Sequence, residues 1–598
     1  LIPRIRTILL AVLVLLTTLP VRAEVAAEMA GALRDQGLTG ATWALVTPDG
    51  VTTGAAGLAD ADTGAAMRPD HRVQVGSVTK TVLAAGVLRL VTLGRLSLNQ
   101  PVADILPAVA IDNPWAATHI LRLRHLLDHT SGLDDARLWQ VFSMRPAADS
   151  PLAQGVVHEG QALRLRWPPG ERFSYSNTGY TLLGMVMEAV TGERYETWLD
   201  REFLAPLGMR DSTFGFVTQM GPGADARLAM GHFDDGSTQA AIPWFTRPAG
   251  QFTTTAADIA RFAQFLMGDG TIDATGFIAA DLLRAMGRPT GTAAAMAGLP
   301  IGYALGLQTR DRHGVVGLCH SGNIVGYRAM LCLYPDQGKA FFISVNADSE
   351  TASYPALDAV MVRALRLSSV APLPSVADPG MATWQGLYTP MPNRFDQFAY
   401  LDGLTATIQV TAVPDGLRLT NMQRPDRLLL PLGDGLVRQQ DRTIASHVFM
   451  SEASGVSFSD GGQSYQRIPA WRFWLGWVSV GFGLLGLGWL LLSGLWRLLT
   501  GPRSLGGMIP LAALLSLVLP VPLLLWGQSF LQLGDPTPGN VLLAVVTGLL
   551  PLALLTVLFL DRRRVGWGAW IDRAATIAAL QWLVVLAFGG LIPLRLWS

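Results

Sequence analysis

Lysine is nearly missing from this chain. Of 45 basic residues among 598, only Lys80 and Lys339 are lysine, and the other 43 are arginine. Cysteine is as scarce. Cys319 and Cys332 are the whole complement, which excludes a disulfide scaffold and a cysteine-rich metal site. Charge is thin, at 15% of residues against about 25% in ordinary soluble domains. The 45 basic residues balance 45 acidic ones, so there is no basic excess of the kind that nucleic acid demands of a partner. What is abundant is apolar: half of all residues are hydrophobic. A chain this poor in charge places part of itself in lipid.

The two ends carry that surplus differently. Arg4 and Arg6 precede an apolar run from Thr7 to Leu19, and Val21-Arg22-Ala23 reads as a small-x-small cleavage site, the pattern of a secretory signal over residues 1–23. At the other end Gly476–Trp496, Ser504–Gly534, Pro536–Leu560 and Ala574–Leu594 hold no Asp, Glu, Lys or Arg. Each can cross a hydrocarbon core of about 30 Å, and only helices satisfy their own backbone there. Residues 471–598 therefore read as a transmembrane region of four helices. Arg497 and Arg503 lie after the first, and Arg562, Arg563, Arg564 and Arg573 lie between the third and fourth. The loop between the second and third has no Lys or Arg. The positive-inside rule puts the arginine loops in the cytoplasm, and residues 24–470 outside it, periplasmic or extracellular, at the inner membrane. Trp471, Trp474 and Trp477 fit an interfacial belt. The charge-free spans favour anchoring over an ion pathway.

Residues 24–368 alternate strand and helix patterns. Thr42–Val46 and Val51–Ala56 form a hairpin pattern at Pro48-Asp49-Gly50. Thr79 to Leu93 has helical spacing stopped by Gly94. Residues 100–245 read as mostly helical with long loops. Gly317–His320, Gly326–Tyr334 and Ala340–Asn346 then read as three successive strands, and Asp358–Leu367 as a closing helix. Early strands, a helical insertion and late strands predict an α+β fold, one antiparallel sheet with a helical lobe beside it. Pro372, Pro374 and Pro379 mark a linker over 369–383. Alternation such as Ala406-Thr407-Ile408-Gln409-Val410 predicts a small β-rich domain, a barrel among the options, over 384–468.

Three segments carry chemistry. In Gly76-Ser77-Val78-Thr79-Lys80 the Ser-x-x-Lys spacing puts Ser77 and Lys80 one helical turn apart. A serine hydroxyl needs a neighbouring base, and a lysine amine serves when burial lowers its pKa. In Tyr175-Ser176-Asn177, ahead of an apolar helix from Gly179, the tyrosine can relay a proton and Asn177 can bind a substrate amide. In His320-Ser321-Gly322, at a strand end, Gly322 lets a ligand approach the backbone. The Asn323 amide can pair with that of Ser77 as an oxyanion hole. There is no Gly-x-Ser-x-Gly elbow, and His158-Glu159 lacks the second histidine of a zincin. No metal or cofactor is expected. Cys319 and Cys332 can face each other across a hairpin, either as thiols or bonded.

The order Ser-x-x-Lys, Tyr-x-Asn, His-x-Gly resembles the serine β-lactamase and penicillin-binding-protein superfamily. It is similar above all to the class C-like branch with D-alanyl-D-alanine carboxypeptidases, D-aminopeptidases and esterases. Leu126 to Leu133, the Pro-Gly segment before Tyr175 and Thr253 to Asp258 match as well. The resemblance spans residues 24–368 and implies a site between lobe and sheet. It makes Ser77 the acyl-enzyme nucleophile, with Lys80 and Tyr175 sharing base and acid work. Asn177, His320, Ser321, Gly322 and Asn323 would contact substrate, whereas His125, His129, Ser131 and Asp258 would be structural. His320 stands where a lysine is common, which weakens recognition of a substrate carboxylate. The expected activity is hydrolysis of small-molecule or peptide substrates (D-amino-acid peptides, amides or esters) by an enzyme tethered to membrane lipid. The alternatives are a penicillin-binding sensor or inactive relative, and a prodrug-activating D-amino-acid peptidase, whose architecture is similar.

Overall fold

The computed structural model describes residues 23–156, 162–501 and 505–597. The expected signal segment up to Arg22, His158-Glu159 and Arg503 lie outside them.

The predicted hairpin forms, longer than expected, from Gly40–Thr47 and Gly50–Asp60. Gly50 takes φ +135 at the tight return. The predicted late strands form over Val315–Ile324, Tyr327–Tyr334 and Lys339–Val345. They close into one antiparallel sheet because Gly40–Thr47 inserts beside Lys339–Val345, with Ala41 opposite Val345. In spatial order the eight strands begin at Tyr303–Ala304, Leu307, Val315, Tyr327, Lys339, Gly40, Gly50 and Ala65. Each face has its own apolar layer. On one, Trp43, Leu45, Phe341 and Ile343 pack against helical residues 23–35 and helix Tyr354–Ala364, through Met29, Leu33, Leu357 and Met361. The other face buries the helical lobe.

The central helix of that lobe, Thr79–Thr92, is buried on nearly every side. That is why its sequence is apolar all round rather than striped. Helix Asn177–Thr191 is capped at its start by the Ser176 hydroxyl, which accepts from the Gly179 amide. The rest of 100–245 is less helical than expected. Val102–Ile105, Leu123–Leu127 and Leu138–Val141 are each one turn or little more, and Tyr195–Leu199 runs on into a wider helical stretch over Asp200–Leu204. Pro101, Pro107, Pro114, Pro146, Pro151, Pro168 and Pro169 interrupt the chain too often for longer helices. Cys319 and Cys332 are directly opposite on adjacent strands, with Cα atoms 4.1 Å apart, and are bonded.

The β-rich region is a closed eight-stranded barrel running from Gly386 to Ile468. Its interior is filled by Tyr388, Leu417, Leu429, Val437, Phe449 and Phe458. It is fastened to the first domain by buried polar contacts. Asp311 accepts from the Thr443 and Ile444 amides, and the buried Arg172 guanidinium pairs with Glu452 and donates to Gln466.

Four helices long and apolar enough to cross a membrane follow, over Ala470–Thr500, Gly506–Trp526, Pro538–Arg563 and Trp567–Phe588. Leu485, Leu492, Trp526 and Phe588 point outward and are each more than three-fifths exposed, an apolar surface that suggests association with a membrane. Helices pack through small residues: Gly483 lies against Trp582, and Gly486 against Ala575 and Ala579. The fourth helix begins earlier than predicted. It therefore carries Asp572 and Arg573 in its first turns, not only in the loop before it. Asp572 is buried and accepts from Arg497 at 2.6 Å and Trp489 at 3.1 Å, so the charge is neutralised inside the bundle. At the opposite end of the bundle, the loop between the second and third helices docks on the first domain. Asp535 accepts from the Ser143 hydroxyl, the Met144 amide at 3.0 Å and Arg145 Nε at 3.0 Å. Phe530 packs on Phe142 and Phe233.

Candidate active site

Ser77 sits on a single 3-10 turn, Gly76–Val78, that runs directly into the buried helix Thr79–Thr92. Gly76 takes φ +50, and the Thr79 hydroxyl closes the turn onto the Gly76 carbonyl. Lys80, one turn on, is wholly buried. Its Nζ lies 2.9 Å from Ser77 Oγ and donates to the Ala249 carbonyl at 2.7 Å. Tyr175, 98 residues later in the chain, donates its phenol to Ser77 Oγ at 2.8 Å. The three motif residues thus meet at one oxygen.

The electrostatics separate their roles. Burial drives the Lys80 pKa well below its ordinary value; Asp135 opposes the shift and Arg394 adds to it. Burial pushes the Tyr175 phenol the other way, upward. The amine is disposed to be neutral and the phenol to keep its proton. Tyr175 then donates to Ser77, Ser77 can donate to the lone pair of Lys80, and Lys80 donates to Ala249.

The strand Val315–Ile324 brings the third motif to the same place. Gly322 is required there because a Cβ would lie 1.9 Å from the Val75 carbonyl oxygen and 3.1 Å from the Ser77 amide nitrogen. A Cβ on Gly76 would lie 2.5 Å from the Asn323 amide nitrogen. Two glycines without side chains let the Ser77 and Asn323 backbones touch beside Oγ, where an oxyanion forms during acyl transfer. A cleft of about 680 Å³ opens over these atoms, lined by Ser77, Tyr175, Asn177, His320, Ser321, Gly322 and Asn323 among others.

His320 is in that wall but is engaged within it. Its Nδ1 donates to the Ser321 carbonyl at 2.7 Å, which leaves Nε2 to accept from the Tyr303 hydroxyl at 3.0 Å. Burial, with Lys80 nearby, lowers its pKa to about 3, so the ring is neutral at ordinary pH. Asn177 is fixed at both ends by Asp135, whose Oδ1 accepts from the Asn177 amide at 2.7 Å and from Nδ2 at 2.9 Å. His129 serves structure. Its Nδ1 accepts from the Ser176 amide at 3.1 Å, and its ring lies 4.2 Å from that of Tyr175, holding the tyrosine in place. Asp258 caps the 210–212 segment, accepting from the Asp211 amide and the Ser212 hydroxyl.

Sequence reasoning missed five contributors. Ala249 acts through its carbonyl, which has no signature in a sequence. Tyr303 and Asp135 belong to no motif of their own. Arg394 and Phe395 come from the barrel region, yet both line the cleft. Arg394 stacks over the Tyr175 ring at 4.5 Å, and its Nε donates to Asp135 Oδ2 at 2.6 Å.

Residues 21–366, more than half of the chain, match the beta-lactamase family model. The chain is 28% identical over 309 residues to penicillin-binding protein 4 of Amycolatopsis lactamdurans, covering 50% of this chain and 78% of that protein. It is 34% identical over 204 residues to esterase EstB of Burkholderia gladioli, covering 31% of this chain and 49% of the esterase. The crystal structure of SurE with D-Leu overlays 75% of this chain and all of that one at 25% identity, with a TM-score of 0.49. The chain belongs to the beta-lactamase family.

Proposed function

We propose that this member of the beta-lactamase family is a serine hydrolase that works through an acyl-enzyme on peptide, amide or ester substrates. The observation that carries the reading is the convergence of Lys80 Nζ and Tyr175 OH on Ser77 Oγ, at 2.9 and 2.8 Å. Ser77 Oγ attacks the substrate carbonyl carbon while its proton passes to the neutral Lys80 amine. Charge gathers on the carbonyl oxygen beside the Ser77 and Asn323 amides. When the bond to the leaving atom breaks, Tyr175 protonates that atom, and the proton held by Lys80 restores the phenol. Water then enters by the reverse route and releases the acid. Asn177, clamped by Asp135, presents its amide to the substrate.

Esterase and D-amino-acid peptidase chemistry suit this site better than β-lactam hydrolysis, because His320 is neutral and bonded inside the wall. The four apolar helices serve as an inner-membrane anchor. The arginine-rich ends face the cytoplasm, and the hydrolase, docked at the other end, faces outward. The test is direct. Wild-type protein in detergent, treated with a fluorophosphonate probe, should label and should turn over a chromogenic ester, and Ser77→Ala should do neither while remaining folded. Label that persists without turnover would replace this reading with that of a ligand-capturing sensor.

A further inference from the structure

Part of the cleft lining is apolar, and it is supported from the apolar helices. Val141, Phe142, Trp244, Ile324 and Val325 line the cleft that holds Ser77. Two of them are tied to the reacting centre. Val325 follows Asn323 by two residues, and the Trp244 amide donates at 3.1 Å to the side chain of Gln251, two residues past the Ala249 carbonyl that holds Lys80. Against them lies the loop joining the second and third apolar helices. Leu531 is fully buried in one cluster with Ile242, Val325, Phe142 and Trp244. The Phe530 ring centroid lies 6.2 Å from that of Phe142 and 5.2 Å from that of Phe233. The loop is built to hold this position. Asn540, buried in the first turn of the third helix, donates its side-chain amide to the Gln532, Leu533 and Asp535 carbonyls at 3.1, 3.0 and 2.7 Å. The Gly534 amide donates to the Phe142 carbonyl at 2.7 Å, and a Cβ on Gly534 would lie 2.3 Å from the Leu138 carbonyl oxygen. Asp535 fastens residues 143–145 beside it. Tethering alone needs none of these ties, since a plain linker would serve.

We propose that this loop is a specificity element of the active site: Leu531 and Phe530 hold Phe142, Trp244 and Val325 as an apolar subsite, and the preferred substrates carry an alkyl or aryl group of several carbons near the reacting carbonyl. The proposal rests on the hydrolase reading above and adds the substrate class. Its physical basis is burial. Each methylene moved from water onto such a wall favours the bound state, and raises kcat/KM when the contact persists in the transition state. The wall selects only while its side chains are held by what packs against them. Phe142 follows a single helical turn, Leu138–Val141, so little in its own segment fixes it, and the loop supplies the support. Leu531 and Phe530 are positioning residues that act through the three wall side chains. The apolar helices thereby do more than anchor the hydrolase: their connecting loop shapes what it accepts.

The test uses full-length protein held in amphipol, so that no micelles take up the substrates, and two thioester series. One varies the acyl part (acetyl, hexanoyl, phenylacetyl), and the other varies the leaving thiol (ethyl, hexyl, benzyl). Thiol release gives kcat/KM. In wild type the hexyl- or phenyl-bearing member of at least one series should exceed its smallest member by about tenfold or more. In Leu531→Ala and Phe530→Ala that large-to-small ratio should fall about 3- to 30-fold, mainly through KM, and Leu531→Met should keep most of it. A merely structural role would lower every thioester alike and leave the ratio unchanged, as Leu429→Ala inside the barrel should do, and that pattern in the loop variants overturns the proposal. Where the loop variants fail to fold, wild type decides. Hexylboronic acid bound at Ser77 should slow amide hydrogen exchange over residues 530–535 more than methylboronic acid does. Equal exchange with the two, or equal rates across both thioester series, overturns the proposal. Absence of Ser77-dependent turnover with every thioester would instead sink the hydrolase reading on which it stands.

Discussion

Replacing Lys80 with methionine isolates the one group on which the proposed chemistry turns. Methionine is close to lysine in length and fills the same buried channel. The change removes the nitrogen 2.9 Å from Ser77 Oγ and leaves Tyr175 still donating to that oxygen at 2.8 Å. Loss of a positioned general base lowers the rate by about 10²–10⁴, or roughly 3–5 kcal/mol of barrier. The fold should tolerate the change. The Ala249 carbonyl loses its 2.7 Å donor, at about 1–3 kcal/mol, but an amine buried at a desolvation penalty is also removed, and the two effects oppose each other. The assay is the second-order rate of fluorophosphonate labelling across pH, with the melting temperature as control. Since the Lys80 pKa is displaced downward, the wild-type rate should rise with pH through an inflection well below that of an ordinary lysine, then level off. The inflection should vanish in Lys80→Met. Lys80→Arg should be as impaired, because guanidinium does not become a neutral base. A Lys80→Met protein that labels within about threefold of wild type and keeps the inflection would refute the assignment of the base.

Gly322→Ala should reduce acyl transfer by about 10²–10³, since its Cβ would force the Asn323 strand away from the Val75 carbonyl and so from Ser77; a normal rate would mean that the two backbones do not cradle the oxyanion. Asp535→Ala removes the acceptor shared by Ser143, Met144 and Arg145 and should free the helix-connecting loop, seen as faster limited proteolysis near residues 527–537 with Ser77 labelling retained. His320 and His447, held by burial at about 3, are neutral when folded but take up protons once unfolded. The unfolded chain therefore binds more protons between about pH 6.5 and 3, and stability should fall with acidification over that window, a slope that His447→Gln should lessen in a thermal-melt series. Asp128, raised by burial to about 6, works in the opposite sense as it takes up its own proton.

Sequence alone determined whatever is written in a short stretch of chain. Ser77 and Lys80 are one helical turn apart, so their meeting follows from spacing once that segment is helical. The four apolar spans were legible because lipid tolerates few charges, and the sheet strands because alternation and turn residues mark them. Even so, Asp572 escaped notice as a helix residue, because its charge is cancelled by Arg497 from another helix, a pairing no local pattern records. The rest was decided by tertiary structure. Whether Tyr175 reaches Ser77 across 98 residues depends on packing of the lobe, and whether Lys80 is neutral depends on how completely the protein excludes water around it. The Ala249 carbonyl and the Asp135 carboxylate act by position only. Arg394 is the plainest case: an arginine among 43, in a segment with no catalytic pattern, becomes part of the cleft because the barrel docks where it does. Periodicity and motifs report forces between near neighbours in the chain, whereas desolvation and long-range contact arise only when distant segments share one interior.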